Sequence, residues 1–445
     1  MPYLKFLLTF LVFTCMRFAL PAQKAKYADV QTGYNARIAG TPDNKLHVWS
    51  GSVEYVWLGT RNITLILQVF SSDMRLINEK KIVLGEIRSW NIDFRYEDSF
   101  YYANIVCISN TNKRLHLKVS ADGNYTDVSD TPFIPAAPVS TNESNWFTST
   151  IWKNNCLFIA DISNAKRNNA DTILTVRGDS ILPGDNYQKI LVRKVNAITR
   201  QTTFVIIGSS NKKFYHPVIT VTDSAVLVSA LSERLQGIGA KNNAFVLLAR
   251  LDTNITATGT NDLSVLPAHA IRNEIYSPLR VFEINNKVLV VSKGLYNKET
   301  VSYSTENAGG VNIPAPRLTS RYITTSLKLT LIDEKNNWIK DTILESRGNN
   351  KNLLPDELFM VESGNGIDFF ISKKYGATKK GIAHFSLDVF GRIKEEDMIL
   401  DIRYDYQVQG AKIISPGVIV IPFSHNWRRG LVKLEYEPVS RADIQ

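Results

Sequence analysis

Carboxylates are the residues in this chain that point most directly to catalysis. Asp356 and Glu357 are adjacent, and Asp93 occupies a comparable place in an earlier segment. Two carboxyl groups about 5 to 10 Å apart in a cleft can hydrolyse a glycosidic bond, one as the proton donor and the other as base or nucleophile. If the fold brings these carboxylates together, the sequence predicts a glycan hydrolase or lyase.

A second set of residues pairs an aromatic ring with a polar neighbour. Such rings recur at Tyr34, Trp90, Trp146, Tyr215, Tyr276 and Tyr406, and the next residue is polar in five of the six cases. Large rings at equivalent positions can pack between neighbouring sheets. They can also stack on sugar faces while His216 and Gln407 bind hydroxyl groups. The second interpretation makes Tyr215, His216, Tyr276, Tyr406 and Gln407 candidate ligand-binding residues.

A third cluster lies near the C-terminus, in the segment HNWRR that contains His425, Trp427, Arg428 and Arg429. An indole beside two guanidinium groups suits a planar or anionic ligand. The same segment is also compatible with a tryptophan packed beneath two solvated arginines, and both interpretations stay open.

Local catalytic and cofactor motifs are absent from the sequence. There is no GxSxG, HExxH, P-loop, GxGxxG or CxxC pattern, and the six histidines have no metal-ligand spacing. We therefore expect neither a metal nor a cofactor.

The elements that must position these residues are strands. Apolar residues come in runs of four to six bounded by Asn, Asp, Gly and Ser, a pattern that predicts an all-β chain. Two hairpin types alternate. The first, a tight polar turn followed by a strongly apolar strand, occurs seven times, as in INNKVLVVSK near residue 285; the second occurs six times in full, and its seventh copy, LVKLEYEPV at 431–439, lacks a return strand.

Two hairpins give a four-stranded unit, A-B-C-D, of about 60 residues. Four-stranded units repeated along a chain resemble the blades of β-propeller repeat proteins. The resemblance covers essentially the whole chain after the N-terminal segment and implies one domain over residues 23–445 with seven four-stranded blades. We expect residues 26–34 to supply the missing strand of the last blade by pairing with 431–439. Two unrelated β-sandwiches are the alternative, although sandwiches do not predict two hairpin types in fixed alternation.

The N-terminal segment resembles a secretory signal peptide over residues 1–22. A short apolar run, LKFLLTFLVFTCM, precedes Ala19-Leu20-Pro21-Ala22. We expect a secreted or periplasmic protein with no membrane span in the mature chain, because the run is too short to cross a bilayer. A lipid anchor on Cys15 is the alternative, which Phe13 disfavours.

Two cysteines, Cys107 and Cys156, remain after the leader is removed. Aligned by the ends of their strands, they are offset by five residues, about 17 Å along a strand and on opposite faces. Bridged Cα atoms must lie within about 7 Å, so we expect two buried free thiols.

Charge completes the prediction. The formal net charge is +10, and removal of Lys5 and Arg17 with the leader leaves +8. In a propeller the B–C and D–A loops share one face, here called the loop face, and the A–B and C–D turns share the other, the turn face. The predicted B–C loops are rich in Lys and Arg, including Lys113, Arg114, Lys166, Lys293, Lys373, Lys374, Lys380, Arg428 and Arg429, whereas the turns are rich in Asp, including Asp122, Asp223, Asp252 and Asp388.

A basic loop face attracts anionic partners. Our leading hypothesis is therefore a monomeric binding or scaffolding module that directs its loop face toward an anionic glycan or an acidic protein, with no nucleic-acid partner. The rival hypothesis is the glycan hydrolase or lyase that uses Asp93, Asp356 and Glu357.

Overall fold

The computed structural model describes the chain in segments: residues 26–29, 34–40, 45–55, 61–97, 100–108, 113–129, 148–154, 156–168, 172–175, 180–196, 198–234, 244–255, 263–267, 275–308, 311–334, 337–345, 353–363, 366–375, 379–398, 400–401, 403–425 and 428–438. The predicted leader lies outside the described residues. Within them the chain is almost entirely strand, with one short 3₁₀ turn at Val408–Gly410.

The described strands form seven separate sheets, which we number 1 to 7. The first strand of the chain, β1 (Lys26–Asp29), belongs to sheet 7. Sheet 1 contains β2 (Tyr34–Ile38), β3 (Leu46–Tyr55), β4 (Arg61–Phe70) and β5 (Leu76–Glu86). Sheet 2 contains β6 (Ser89–Glu97), β7 (Phe100–Ile108), β8 (Arg114–Ser120) and β9 (Tyr125–Asp127). Sheet 3 contains β10 (Thr148–Lys153), β11 (Cys156–Lys166), β12 (Ile173–Thr175), β13 (Asn186–Asn196) and β14 (Thr202–Ser209).

The remaining sheets follow the same antiparallel order. Sheet 4 contains β15 (Lys212–Val221), β16 (Val226–Arg234), β17 (Ala244–Leu251) and β18 (Leu263–Pro267). Sheet 5 contains β19 (Ile275–Ile284), β20 (Lys287–Ala308), β21 (Val311–Ile332) and β22 (Trp338–Glu345). Sheet 6 contains β23 (Leu353–Ser363), β24 (Gly366–Tyr375), β25 (Lys379–Asp388) and β26 (Ile393–Met398). Sheet 7 contains β27 (Asp405–Tyr406), β28 (Lys412–Ser415), β29 (Val418–His425), β30 (Arg428–Glu435) and β1.

The chain is a β-propeller, as the alternating hairpins predict. The predicted closure by the N-terminal strand is confirmed: β1 runs antiparallel to β30, with Tyr27 opposite Val432 and Asp29 opposite Gly430. Aromatic contacts reinforce this pairing, since the Tyr27 ring lies 5.7 Å from Phe423 and 5.5 Å from Tyr404. The outer strand of the last sheet therefore comes from the opposite end of the chain.

Two sheets depart from the simple four-stranded pattern. In sheet 3 the short β12 adds a fifth strand, parallel to β14. In sheet 7 the inner strand is divided into β27 and β28, both of which pair with β29, and the 3₁₀ turn lies between them.

Neighbouring sheets pack face to face through shared apolar clusters. Because alternate residues of a strand point to opposite faces, a central strand can fill the interfaces on both sides of its sheet. Buried clusters join sheets 1 and 2, 3 and 4, 4 and 5, 5 and 6, 6 and 7, and 7 and 1. The cluster between sheets 7 and 1 places Val420 and Leu431 against Leu46 and Val48, which brings the two ends of the array together.

The predicted free thiols are confirmed. Cys107 and Cys156 are both buried and unbridged. They belong to different clusters, because Cys107 packs between sheets 1 and 2 and Cys156 between sheets 3 and 4. Burial raises the pKa of the Cys107 thiol, although Lys113 acts in the opposite direction.

Candidate functional site

The inner strands are interrupted near the loop face. Their ladders with the second strands shift register in β15 between Tyr215 and Val218, in β19 between Pro278 and Arg280, and in β23 between Leu354 and Leu358. Proline accounts for this in the sequence, because Pro217, Pro278 and Pro355 have no backbone N–H to donate to a ladder. The interruptions direct inner-strand residues toward the axis of the ring.

Three cations follow such interruptions. Arg37 comes after a register shift in β2, Arg280 after the shift in β19, and Lys412 opens β28 after the break in sheet 7. Arg280 and Arg37 both act electrostatically on Lys412, although they belong to sheets 5 and 1. Sheets 1, 5 and 7 are not all neighbours, so these inner-strand residues influence one another across the axis of the ring, in the region called the central channel below.

These three cations are incompletely neutralised. Burial lowers the pKa of Lys412, and the positive charges of Arg280 and Arg37 lower it further. Burial likewise lowers the pKa of Arg280, against a smaller opposing effect of Glu362. Among the described residues, no carboxylate lies within 4 Å of any of the three cationic groups. The three residues are nonetheless solvent-exposed.

The surrounding groups are mainly neutral hydrogen-bonding groups. Arg37 donates to Asn91 Oδ1 at 3.3 Å, and Arg280 donates to the backbone oxygen of Met360 at 3.4 Å. Arg37 also acts electrostatically on Asp93. Burial raises the pKa of Asp93, and Arg37 opposes that effect only in part.

The turn end of the channel is different, because its charges are paired. Lys153 Nζ lies 2.7 Å from Asp223 Oδ1, and Arg250 lies 2.5 Å from Glu283. Glu283 also accepts hydrogen bonds from Ser224 at 2.8 and 3.0 Å. These contacts connect sheet 3 with sheet 4 and sheet 4 with sheet 5, so they hold the ring together.

The predicted carboxylates occupy two separate places. Asp93 lies on the wall formed by sheet 2, while Asp356 and Glu357 lie in the bulge of β23. Asp356 accepts a hydrogen bond from Thr324 at 2.6 Å. Glu357 shares the ammonium group of Lys380 with Asp405, at 2.9 and 3.1 Å. The structure therefore pairs Glu357 with Asp405, a residue that the sequence did not single out.

The predicted aromatic residues contribute mainly to packing. Tyr276 and Tyr406 are each 1% exposed, and Tyr215 packs against the cluster between sheets 4 and 5. Tyr406 donates a hydrogen bond to the backbone oxygen of Asp401 at 2.9 Å and lies 3.3 Å from the Tyr27 hydroxyl, so it supports the closing strand. For these rings, burial favours the interpretation of packing between sheets.

The polar neighbours of these rings remain accessible. Gln407 is exposed, and His216 occupies the bulge of β15 with a positive φ of 50°. Burial, assisted by the positive charge of Lys293, lowers the pKa of His216 to about 4. His216 is therefore a neutral imidazole at physiological pH.

The C-terminal cluster is only partly described. His425 packs edge-on against Tyr404, with ring centroids 5.6 Å apart, and Arg429 is half-buried opposite Ser424. Trp427 and the side chain of Arg428 lie outside the described residues. Whether these four residues act together stays a prediction.

The charge contrast between the two faces is smaller than the sequence predicts. On the loop face, Lys373 is paired with Asp397 at 2.7 Å and Lys380 with two carboxylates. On the turn face, lysines contact the turns of the next sheet, as Lys45 does with Asp122 at 2.6 Å. Similar contacts to neighbouring sheets are made by Lys153, Lys194, Lys287, Lys340, Lys394 and Lys433.

Sequence reasoning missed the three channel cations, although a signal for them exists. Each is a basic residue followed by two apolar ones in an inner strand: Arg37-Ile38-Ala39, Arg280-Val281-Phe282 and Lys412-Ile413-Ile414. Aligning the inner strands by their turns would have revealed this pattern. No cluster of three or more His, Cys, Asp or Glu residues suited to a metal occurs among the described residues.

The described residues also contain no helix long and apolar enough to cross a membrane.

Comparisons with known proteins return structural neighbours of low similarity. No family model matches the chain, and a search of curated proteins finds no relative. Solved structures that resemble it include the N10 neuraminidase-like protein of a little yellow-shouldered bat influenza A virus, with 8% identity, coverage of 79% of this chain and 99% of that one, and a TM-score of 0.35. The phage phi92 endosialidase has 9% identity, coverage of 94% and 70%, and a TM-score of 0.35. The Synechocystis apocarotenoid oxygenase has 8% identity, coverage of 94% and 94%, and a TM-score of 0.39.

Proposed function

We propose that this protein is a binding module that holds an anionic glycan in its central channel, through Arg37, Arg280 and Lys412. The observation that carries the proposal is the convergence of Arg37, Arg280 and Lys412 from sheets 1, 5 and 7, where burial and then the charges of Arg280 and Arg37 lower the pKa of Lys412. Neighbouring like charges disfavour one another's charged forms unless a counter-charge is present. A bound carboxylate or sulfate supplies the missing counter-charge.

Neighbouring groups suit a sugar. Asn91 accepts a hydrogen bond from Arg37, Gln407 and Gln409 are exposed amides, and His216 is a neutral imidazole. Amides and neutral imidazoles both donate and accept hydrogen bonds, as sugar hydroxyls require. Arginine can bind a planar carboxylate through two parallel hydrogen bonds, and lysine adds a point-charge contact.

Glycan hydrolysis is the second candidate, and one observation favours it. The oxygens of Glu357 and Asp405 that share Lys380 lie no more than about 6 Å apart, within the separation that glycoside hydrolases use. Burial of Lys380 is outweighed by hydrogen bonds to these two carboxylates, so the pKa of Lys380 is raised. The Lys380 ammonium group bridges the two carboxylates, so both are engaged in an ion-pair network instead of facing a substrate. Binding is therefore the better supported function.

The test is calorimetric binding of digalacturonate, a short glycan with two carboxylates. We expect wild-type protein to bind it, and Lys412→Gln to weaken binding at least about tenfold, the effect of losing one charged hydrogen bond. Binding should also weaken with salt, because exposed charges are screened over about 8 to 10 Å.

The matched control is Lys81→Gln, since the Lys81 side chain is 63% exposed on the outer strand of sheet 1, away from the axis. This variant should bind as the wild type does. Equal affinity of Lys412→Gln and wild type, or equal binding of neutral digalactose, would overturn the proposal. Release of reducing ends from a longer substrate, lost in Glu357→Gln, would favour the hydrolase instead.

A further inference from the structure

The outer strand of sheet 1 is long, and its outer edge is open. β5 contains 11 residues, whereas the outer strands of the other sheets contain three to eight. Among the described residues, no strand pairs with the outer edge of β5. Proteins usually keep such edges short or covered, because their unpaired backbone N–H and C=O groups can pair with another chain. The β5 edge is therefore a candidate contact surface.

The middle of β5 is charged and its ends are apolar. The ladder with β4 is regular over residues 78–83 and shifts register on either side of that segment. Ile77 and Val83, at the two ends, are 55% and 76% exposed. Between them, the side chains of Glu79 and Lys81 are 26% and 63% exposed. The edge thus presents an acid and a base between two exposed aliphatic side chains.

These four types of contact are arranged by the alternation of the strand. Successive side chains point to opposite faces, so Glu79, Lys81 and Val83 share one face. The other face packs toward sheet 2, since Ile82 contacts the cluster between sheets 1 and 2. On the first face, Lys81 Nζ lies 3.4 Å from Glu79 Oε1, and Gln68 donates a hydrogen bond to Glu79 Oε2 at 2.9 Å. The acid and the base are therefore held side by side along the edge.

Symmetry restricts how two copies of β5 could pair. Closed dimers of identical chains have a twofold axis, and two antiparallel strands in one sheet are related by an axis perpendicular to that sheet. Such an axis keeps each face of one copy on the same side as the same face of the other. Residues directly opposite one another share a face, so each residue pairs with one an even number of positions away. The axis must therefore pass through a single residue position.

Of the three central positions for this axis, only Lys80 brings opposite charges together. It places Glu79 of each copy opposite Lys81 of the other copy, and Ile77 opposite Val83. An axis at Glu79 or at Lys81 would give one like-charge pair and no opposite-charge pair. The axis at Lys80 also has one like-charge pair, Lys80 with its own copy, but it has two opposite-charge pairs and two aliphatic pairs. Cross-strand pairs of these kinds stabilise a sheet, and like-charge pairs destabilise it.

We propose that the protein forms a homodimer in which two β5 strands pair antiparallel around a twofold axis at Lys80. The strand contributes its own complement, because its charge pattern reverses between positions 79 and 81. The antiparallel pairing gives the two rings opposite polarity, so their loop faces point in opposite directions. The interface lies at the outer edge of the ring, away from the central channel, and the inference does not depend on what the channel binds.

The test is sedimentation equilibrium of the wild type and of charge variants. An interface limited to one strand edge is small, so we expect a reversible monomer–dimer equilibrium below about 1 mM protein. Lys81→Glu should weaken dimerisation at least about tenfold, because both opposite-charge pairs become like-charge pairs. The double variant Glu79→Lys/Lys81→Glu restores the opposite-charge pairs and should restore dimerisation. Lys80→Gln should strengthen it, since the like-charge pair at the axis is removed.

The matched control is Lys394→Glu, which makes the same change at a lysine that is 68% exposed on β26, the outer strand of sheet 6. This variant should dimerise as the wild type does. A wild type that stays monomeric up to about 1 mM protein, or a double variant that dimerises as poorly as Lys81→Glu, would overturn the inference.

Disulfide formation tests the register separately. Residues at the axis lie opposite their own copies, within the Cα separation of about 7 Å that a disulfide allows. Lys80→Cys should therefore link two copies on mild oxidation, whereas Lys81→Cys, whose copies are offset along the strands, should not. Cys107 and Cys156 are buried and do not compete. Equal linking of the two variants, or linking of neither, would show that the proposed register is wrong.

Discussion

The turn end and the middle of the central channel contain similar residue types but differ in whether their charges are paired. At the turn end, Arg250 and Glu283 lie 2.5 Å apart with side chains 23% and 12% exposed, and Lys153 contacts Asp223. These pairs connect adjacent sheets. In the middle of the channel, Arg280 of sheet 5 and Arg37 of sheet 1 act repulsively on Lys412 of sheet 7.

The contrast indicates where the fold is stabilised and where it is prepared for a ligand. Paired charges at a sheet junction satisfy one another and hold the sheets in place. Unpaired charges in a partly desolvated site reduce stability, and such residues persist at binding sites because function compensates for that cost. We therefore assign the turn end a structural role and propose the middle of the channel as the binding site.

Breaking a pair at the turn end should have the largest effect on stability. Glu283→Ala removes the acceptor for both Arg250 and Ser224 and leaves a half-buried guanidinium unpaired. We expect a loss of about 2 to 3 kcal/mol in the free energy of unfolding, measured by urea denaturation. Digalacturonate affinity should stay at the wild-type value; a parallel loss of affinity would mean that the turn end also contributes to binding.

Lowering the pH should destabilise the folded protein through the buried His216. Because the pKa of His216 is lowered to about 4 in the folded protein and is about 6.5 when unfolded, the unfolded state takes up a proton first as pH falls. Stability is lost between about pH 6.5 and 4, by about 1 to 2 kcal/mol for this group. His216→Gln should flatten the pH dependence of the melting temperature in that window. An unchanged slope would refute the burial of this imidazole.

Removing the unpaired charge in the middle of the channel should stabilise the fold. Lys412→Met eliminates the repulsion from Arg280 and Arg37 and the desolvation of the ammonium group. We expect a gain of about 0.5 kcal/mol in the free energy of unfolding, small because channel water screens the charges. The same variant should lose digalacturonate binding. A loss of stability instead would show that Lys412 has a structural role.

The smallest expected effects on stability concern two aspartates whose pKa values are shifted in opposite directions. Burial raises the pKa of Asp93, so the folded state disfavours its ionised form and Asp93→Asn should slightly increase stability at neutral pH. That increase should vanish below the ordinary carboxyl range, where both states are protonated. A hydrogen bond from Lys45 lowers the pKa of Asp122, so Asp122→Asn should slightly decrease stability at neutral pH, and the decrease should vanish as pH falls through the lowered pKa. Equal signs for the two variants would contradict this assignment.

The fold was accessible from sequence because its determinants are local. Each hairpin has its own turn residues and its own apolar strand, and the missing partner of 431–439 indicated a role for residues 26–34 that the pairing of β1 with β30 confirms. The disulfide question was also decidable, since strand geometry alone separates Cys107 from Cys156.

The site was less accessible because it depends on distant segments. Arg37, Arg280 and Lys412 are far apart in the chain and meet only when the ring closes. Glu357 was identified from its neighbour Asp356, yet its partner through Lys380 is Asp405, on the next sheet. The turn-face lysines were overlooked for the same reason, because the sequence does not show that a side chain such as Lys45 reaches across a sheet junction to Asp122.

The most direct test of the account is a crystal structure of the protein with digalacturonate bound. The account predicts a sugar carboxylate within hydrogen-bonding distance of Lys412 Nζ and of the guanidinium groups of Arg37 and Arg280. A ligand seated on the exposed Lys113 and Arg114 of the loop face, with the channel cations contacting only water, would contradict it.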